Sequence, residues 1–300
     1  MRRREFLSVA SASLGLVVLT QAGCGGGSAS GLSATGSPLL GTDAAVAGGA
    51  PIVTSRVDAF TFNGTGTLFG IDESANTLFA KEAHGDRRWT TGGQGTQLGR
   101  FNGPSDLVYA PNGYIYVVDA GNARVQILDA DGVAVGQFGT YGTGDGQFLS
   151  PNCIDVGSND CLYVSDAAAH RVQAFSLNGE FKFSFGGFGL TGSNLNGPMG
   201  VAVIEQEVYV VDTGNGRVQV YTLRGAYLRG IGGVEVLSYP YDVEVATDGT
   251  VYVSDPATAQ VILFNAGTGS IERIAITHDG SPASPQGISL DAEQRLFVAV

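Results

Sequence analysis

Aspartates that close short apolar runs are the first residues in this chain to invite a chemical reading. Asp119, Asp166 and Asp212 each end such a run, and Arg124, Arg171 and Arg217 follow five residues later. A carboxylate at a strand end accepts backbone N–H groups and pairs with a guanidinium at that spacing, so the recurrence reads as one clamp per unit rather than as a catalytic set. Where Asp72 meets Thr77 and Asp255 meets Gln260, the clamp should be weaker. A second acidic pair, Asp106 and Asp242, stands two residues after a proline in each case, with Arg100, Tyr239 and Tyr241 nearby in sequence. Brought together at one mouth, these groups would contact a polar ligand or hold a single divalent cation. The competing reading is that each Asp caps its own strand.

Other sources of chemistry are sparse. The histidines are His84, His170 and His278, at positions that do not bring three metal ligands together. Gly186-Gly187-Phe188-Gly189 is not followed by a helix, which excludes a phosphate or dinucleotide loop. Cys153 and Cys161 fall on neighbouring strands of one hairpin in staggered registers, either as a disulfide or as two small buried apolar residues. No catalytic residue and no bound cofactor is assigned.

The elements that must position these residues form a repeat. Tyr114-Ile115-Tyr116-Val117-Val118-Asp119, Leu162-Tyr163-Val164-Ser165-Asp166, Val208-Tyr209-Val210-Val211-Asp212 and Val251-Tyr252-Val253-Ser254-Asp255 share one pattern, with a weaker copy ending at Asp72 and a last one ending at Val300. The intervals are 47, 47, 46, 43 and 45 residues, and a proline precedes the register position by 14 or 15 residues at Pro104, Pro151, Pro198, Pro240 and Pro285. A period of this length means stacked supersecondary units. Each complete unit holds four short strands separated by turn residues. The run that ends in Asp is apolar at nearly every position, so both of its faces should be buried, as between propeller blades.

The order F-x-x-P, Y-V-x-D and then Arg-Val-Gln resembles the NHL repeat, whose name triplet corresponds here to Asn122-Ala123-Arg124, Ala169-His170-Arg171 and Asn215-Gly216-Arg217. The resemblance covers roughly residues 57 to 300 and is fullest in the three middle units. It implies an all-β, six-bladed β-propeller in which blades two and five are opposite, so that Asp106 and Asp242 face each other across the axis. The zinc-dependent peptide-amidating lyases of this propeller family, and the related His-dependent antibiotic lyases, need histidines that these positions do not supply.

Composition agrees with a turn-rich β protein. Of 300 residues 46 are glycine, about twice the usual share, and only 15% are charged. The balance of 16 basic to 28 acidic residues leaves −12, which would repel a phosphate backbone and excludes nucleic acid as a partner. Arg3-Arg4-Glu5-Phe6-Leu7 resembles a twin-arginine export signal, and the apolar stretch after it ends in Ala22-Gly23-Cys24, which looks like a lipobox with Cys24 as the lipidated residue.

These readings divide the chain into an export signal over 1–23, a Gly/Ser-rich tether over 24–38 and a propeller over 39–300. The expected function is an exported, lipid-anchored binding or scaffolding module of the periplasm or cell envelope, with a protein, peptide or glycan held by the loops that share the face of the register Asp. Contact with the membrane is expected only through the anchor. The alternative is a metal-dependent lyase or lactonase-like hydrolase with one divalent cation in the pore. The last unit lacks its outer strands, and an N-terminal segment within 39–56, around Ile52-Val53-Thr54, is expected to complete it.

Overall fold

The computed structural model describes residues 16–19, 57–82, 87–278, 281–292 and 294–300. Five four-stranded antiparallel sheets follow one another along the chain. Blade 1 runs from Ala59–Phe62 to Arg87–Gly92, blade 2 from Pro104–Tyr109 to Ala134–Phe138 and blade 3 from Pro151–Val156 to Phe181–Gly186. Blade 4 runs from Pro198–Ile204 to Tyr227–Gly232, and blade 5 from Val243–Val245 to Ile271–Ala275.

Six complete blades were expected and five are found. The sixth position holds a three-stranded sheet of Ile288–Leu290, Leu296–Ala299 and Leu16–Leu19, the last of these parallel to its neighbour. An N-terminal strand therefore does join the last sheet, but it comes from within the apolar stretch near the N-terminus. The stretch expected to do this, around Ile52-Val53-Thr54, lies outside the described residues, as do Arg3, Arg4, Cys24 and His84.

Period-two geometry explains the core. In the second strand of blade 2, Ile115–Asp119, every residue is buried. Ile115 and Val117 pack toward blade 1 with Phe69, Ile71 and Leu78, while Tyr116 and Val118 pack toward blade 3 with Ile154, Val164 and Phe175. Alternate side chains thus feed two different seams, which is why the strand is apolar throughout. Six such clusters follow around the axis, and the one that joins blade 1 to the last sheet contains Phe60, Phe79, Phe297 and Ala299. Phe60 and Phe62 meet the Phe297 ring at 6.2 and 4.8 Å between centroids. Outer strands alternate instead, as in Phe181–Gly186, because one of their faces meets water.

The register Asp pins the crossover that enters its own blade. Asp119 accepts from Asn102 N (2.7 Å), Arg124 Nε (2.7 Å), Asn122 Nδ2 (2.9 Å) and Gln126 Nε2 (2.9 Å), and Arg124 Nη2 also donates to the Gln97 and Arg100 carbonyls. Asp212 repeats this with Asn196 N at 2.6 Å and with Asn215 Nδ2 and Arg217 Nε at 2.8 Å. Blade 3 departs from expectation: Arg171 makes no ion pair with Asp166. The Asp166 carboxylate is taken by Leu149 N, Ser150 N and Ala169 N, and Arg171 Nη2 holds the Gly144 and Gln147 carbonyls while its Nε is buried without a partner. The cause is Ala169, which stands where Asn122 and Asn215 supply a side-chain donor. Asp255 is likewise held by Ser238 N and Tyr239 N rather than by a cation, and Asp72 by Ser74 Oγ and Ala75 N.

Candidate functional site: the axial channel and the crossover face

Inner strands run along the axis, so the residue two after each proline forms one ring and the residue four after it forms the next. The first ring is Asp106, Cys153, Gly200, Asp242 and Gly287, with Ala59 in blade 1. Asp106 and Asp242 do line the same narrow channel, as expected of blades two and five. They do not simply cap their own strands. Asp106 accepts from Ile154 N of the next blade at 2.8 Å, and Asp242 accepts from Ile288 N at 2.9 Å as well as from its own Val243 N. Cys153 performs the same task with sulfur, accepting from Val201 N at 3.2 Å. Its thiol is free, as is that of Cys161. At Gly200 the inner strand presses so closely on blade 5 that a Cβ would lie 2.6 Å from Asp242 Oδ1, so only glycine fits.

Two acids of the second ring complete the channel and were not singled out from sequence. Asp155 accepts from Val203 N of the next blade at 2.6 Å, and Glu244 stands with it in the lower void. The signal was present, since a residue two further along a strand points to the same face. Each acid touches only the small voids of the channel and is otherwise surrounded by protein. Burial pushes Asp106 up to about 6, and burial with repulsion from neighbouring carboxylates pushes Asp155 to about 7 and Asp242 to about 8 and holds Glu244 well above its usual range. Tyr241, hydrogen-bonded to Asn152, is pushed up to about 12 by burial and the nearby acids.

The other two expected contacts lie elsewhere. Arg100 bonds the Gly92 carbonyl through Nη1, and its own carbonyl belongs to the Arg124 clamp. Tyr239 donates its N–H to Asp255 and exposes its ring on the crossover face. Of the five residues, Asp106, Asp242 and Tyr241 are brought together. The two voids measure about 50 and 20 Å³, room for a few waters and not for a substrate. Among the described residues no three His, Cys, Asp or Glu side chains converge in a way that could hold a metal ion. His170 is structural: its Nδ1 accepts from Gly197 N at 2.9 Å, and its backbone is left-handed at φ 54°.

The face that carries the clamps is more open. Outer strands end there, inner strands begin there, and the crossovers between them project large apolar side chains into solvent. These are Leu98, Tyr141, Phe188, Leu190, Val234 and Tyr239, with Tyr141 74% and Val234 76% exposed.

With this geometry in hand, the NHL repeat model matches residues 101–128 and 195–221, the stretches around the two complete clamps. The chain is a β-propeller that carries NHL repeats. No curated protein matches it. Among solved structures it is similar to catalytically inactive virginiamycin B lyase from Staphylococcus aureus with quinupristin, at 15% identity and TM-score 0.61, covering 81% of this chain and 78% of that one. It is also similar to a chain of a nidogen/laminin complex, at 16% identity and TM-score 0.61, covering 81% and 85%. A chain of Kuenenia stuttgartiensis hydrazine synthase gives 15% and 0.60, covering 81% and 73%. At these identities the likeness is one of fold, and propellers of one fold occur in a lyase, a nidogen/laminin complex and a hydrazine synthase alike.

Proposed function

We propose that this propeller is an exported binding or scaffolding module of the cell envelope that docks a protein or peptide on its crossover face. The observation that carries the reading is the ring of exposed apolar side chains there, at Tyr141, Phe188, Leu190 and Val234, on a framework whose loops are pinned by buried clamps. Exposed aromatic and aliphatic groups on rigid supports lose little entropy on binding and are what a protein partner covers. A glycan would use the same aromatics but would leave Leu190 and Val234 without a role. The test is capture of envelope proteins by wild type and by a Tyr141→Ser, Phe188→Ser, Val234→Ser variant. The variant should keep its melting temperature and lose the captured protein, and undiminished capture would rule the face out.

The address is part of this proposal. Arg3, Arg4 and Cys24 support export and lipid anchoring, so labelled fatty acid should enter the wild-type chain and Cys24→Ala should leave the membrane fraction. A chain that stays with the membrane after that substitution, with no label in wild type, removes the anchor. The alternative of a lyase or lactonase-like hydrolase would draw on Asp106, Asp155, Asp242 and Glu244, but three of these carboxylates hold backbone N–H groups of the neighbouring blade. A stoichiometric divalent ion in purified mature protein would revive it.

A further inference from the structure

Two seams between blades are closed by the same device. Tyr116 Oη donates to the Leu177 carbonyl of the next blade at 2.8 Å, and Tyr163 Oη donates to the Leu223 carbonyl at 2.7 Å. In both cases the leucine side chain packs into the seam beside that tyrosine. Between blades 1 and 2 the leucine position is Ala130, and Trp89 makes up the loss, its Nε1 donating to the Ala130 carbonyl at 3.0 Å.

The seam between blades 4 and 5 has neither. Tyr209 occupies the tyrosine register, but its hydroxyl donates to Glu207 Oε2 at 2.7 Å. The leucine position is Ala266, which is exposed. The outer-strand position filled by Trp89 and Phe183 in blades 1 and 3 is Arg229, whose guanidinium grips Glu207 at 2.6 and 2.7 Å and lies 5.8 Å from the Tyr209 ring centroid. What remains is a groove of about 450 Å³ whose walls include Tyr209, Val236, Phe264 and Ile271. It is continuous with the packed interface of Tyr209, Val251 and Phe264 and has the size of pockets that bind small ligands, ~300–1,000 Å³.

We propose that this open seam binds a peptide segment of a partner through a leucine-like side chain, seated as Leu177 and Leu223 are seated in their own seams, with its main-chain carbonyl accepting from Arg229. The molecule supplies the template for the occupant: an aliphatic side chain on a β-turn with an outward carbonyl fits the same Tyr register twice elsewhere in the ring. Arg229 retains N–H donors beyond those given to Glu207 and Tyr209. The inference rests on the reading of the propeller as a protein-binding module, but concerns a different surface from the crossover face.

The probe is a cyclic peptide of sequence Val-Tyr-Thr-Leu-Arg-Gly-Ala-Tyr, which copies residues 220–227, titrated into the full chain by calorimetry and NMR. Saturable binding is expected, with at least about a tenfold loss when the peptide's leucine is replaced by glycine. Ala266→Leu should fill the groove from within, weaken the probe by at least about tenfold and raise the melting temperature. Equal binding by the Ala266→Leu variant, or no saturable binding to wild type, overturns the proposal. The crossover-face variant separates the two readings. If the probe fails while envelope capture still depends on Tyr141, Phe188 and Val234, the groove falls and the module stands. If the probe binds while the crossover-face variant captures envelope proteins as wild type does, the groove stands and the crossover face falls.

Discussion

Asp119 and Asp242 are both acids shut inside the same ring, and they are held in opposite ways. Asp119 meets a guanidinium, two side-chain amides and a backbone N–H, so its charge is answered on both oxygens. Asp242 meets only two backbone N–H groups and shares its channel with Asp106, Asp155 and Glu244, with no cation among the residues lining it. The clamp uses charge to hold a crossover in place. The channel uses the carboxyl as a hydrogen-bond acceptor between blades and suppresses its charge. Recurring aspartate in a repeat therefore has two structural meanings, and neither requires a ligand.

The sharpest way to break this comparison is at the clamp. Asp119→Ala leaves Arg124 buried without its counter-charge and Asn102 N without its acceptor, and should cost about 3–5 kcal/mol in chemical denaturation. A loss under ~1 kcal/mol would show that the clamp is ornamental.

The channel should respond to pH in the opposite sense from a salt-bridged acid. Its carboxyls titrate at about 6 to 8 in the folded chain and near 4 when unfolded. Between those limits the folded state holds protons that the unfolded state has released. Their stabilising contribution is complete below about pH 4 and falls as pH rises through 8, and Glu244, held well above its usual range by burial, contributes in the same sense. Asp242→Asn removes one of the repelling charges and keeps one acceptor, so it should flatten that slope and raise stability at pH 8 by about 1–3 kcal/mol. A variant whose melting temperature tracks the wild-type pH curve in parallel would contradict the assignment.

The smallest expected effect separates two arginines. Arg171→Ala removes two bonds to neutral carbonyls and frees no carboxylate, so it should cost about 1 kcal/mol, well short of Arg124→Ala. Equal losses in the two would mean that Asp166 does rely on Arg171 in solution.

The phase of the repeat was legible because each register residue solves the same packing problem every 43 to 47 positions. Prolines, aspartates and two-sided apolar strands all fell where the blades place them, and Asp106, Asp242 and Tyr241 reached one channel. The bonding of Asp166 does not follow from the Asp and Arg alone, since Ala169 lacks the side-chain donor of Asn122 and Asn215 and backbone N–H groups hold both oxygens. Arg100 and Tyr239 were drawn toward the axis by their nearness in sequence. A crossover makes a sharp turn there, and Arg100 and Tyr239, which both precede the proline, bond at the crossover and not into the channel. The groove between blades 4 and 5 left only a faint trace, Ala266 in place of leucine. Its significance depends on Trp89 compensating for Ala130 at one seam and on nothing doing so at the other.

The side-chain ties from Asp106, Cys153, Asp155 and Asp242 to the next blade each span 46 to 48 residues. As the chain leaves the ribosome, a new blade can be fastened to the one before it once a single further repeat has emerged, and no blade has to wait for distant sequence. Folding can keep step with synthesis around the ring. The seam that joins Phe60 and Phe79 to Phe297 and Ala299 is different, because its two sides are widely separated in the chain. Until that seam closes the growing propeller is a crescent with two raw apolar flanks, Phe60 and Phe79 on one side and the newest blade on the other, and its exposure to misassociation is set by how long the last repeat takes to arrive.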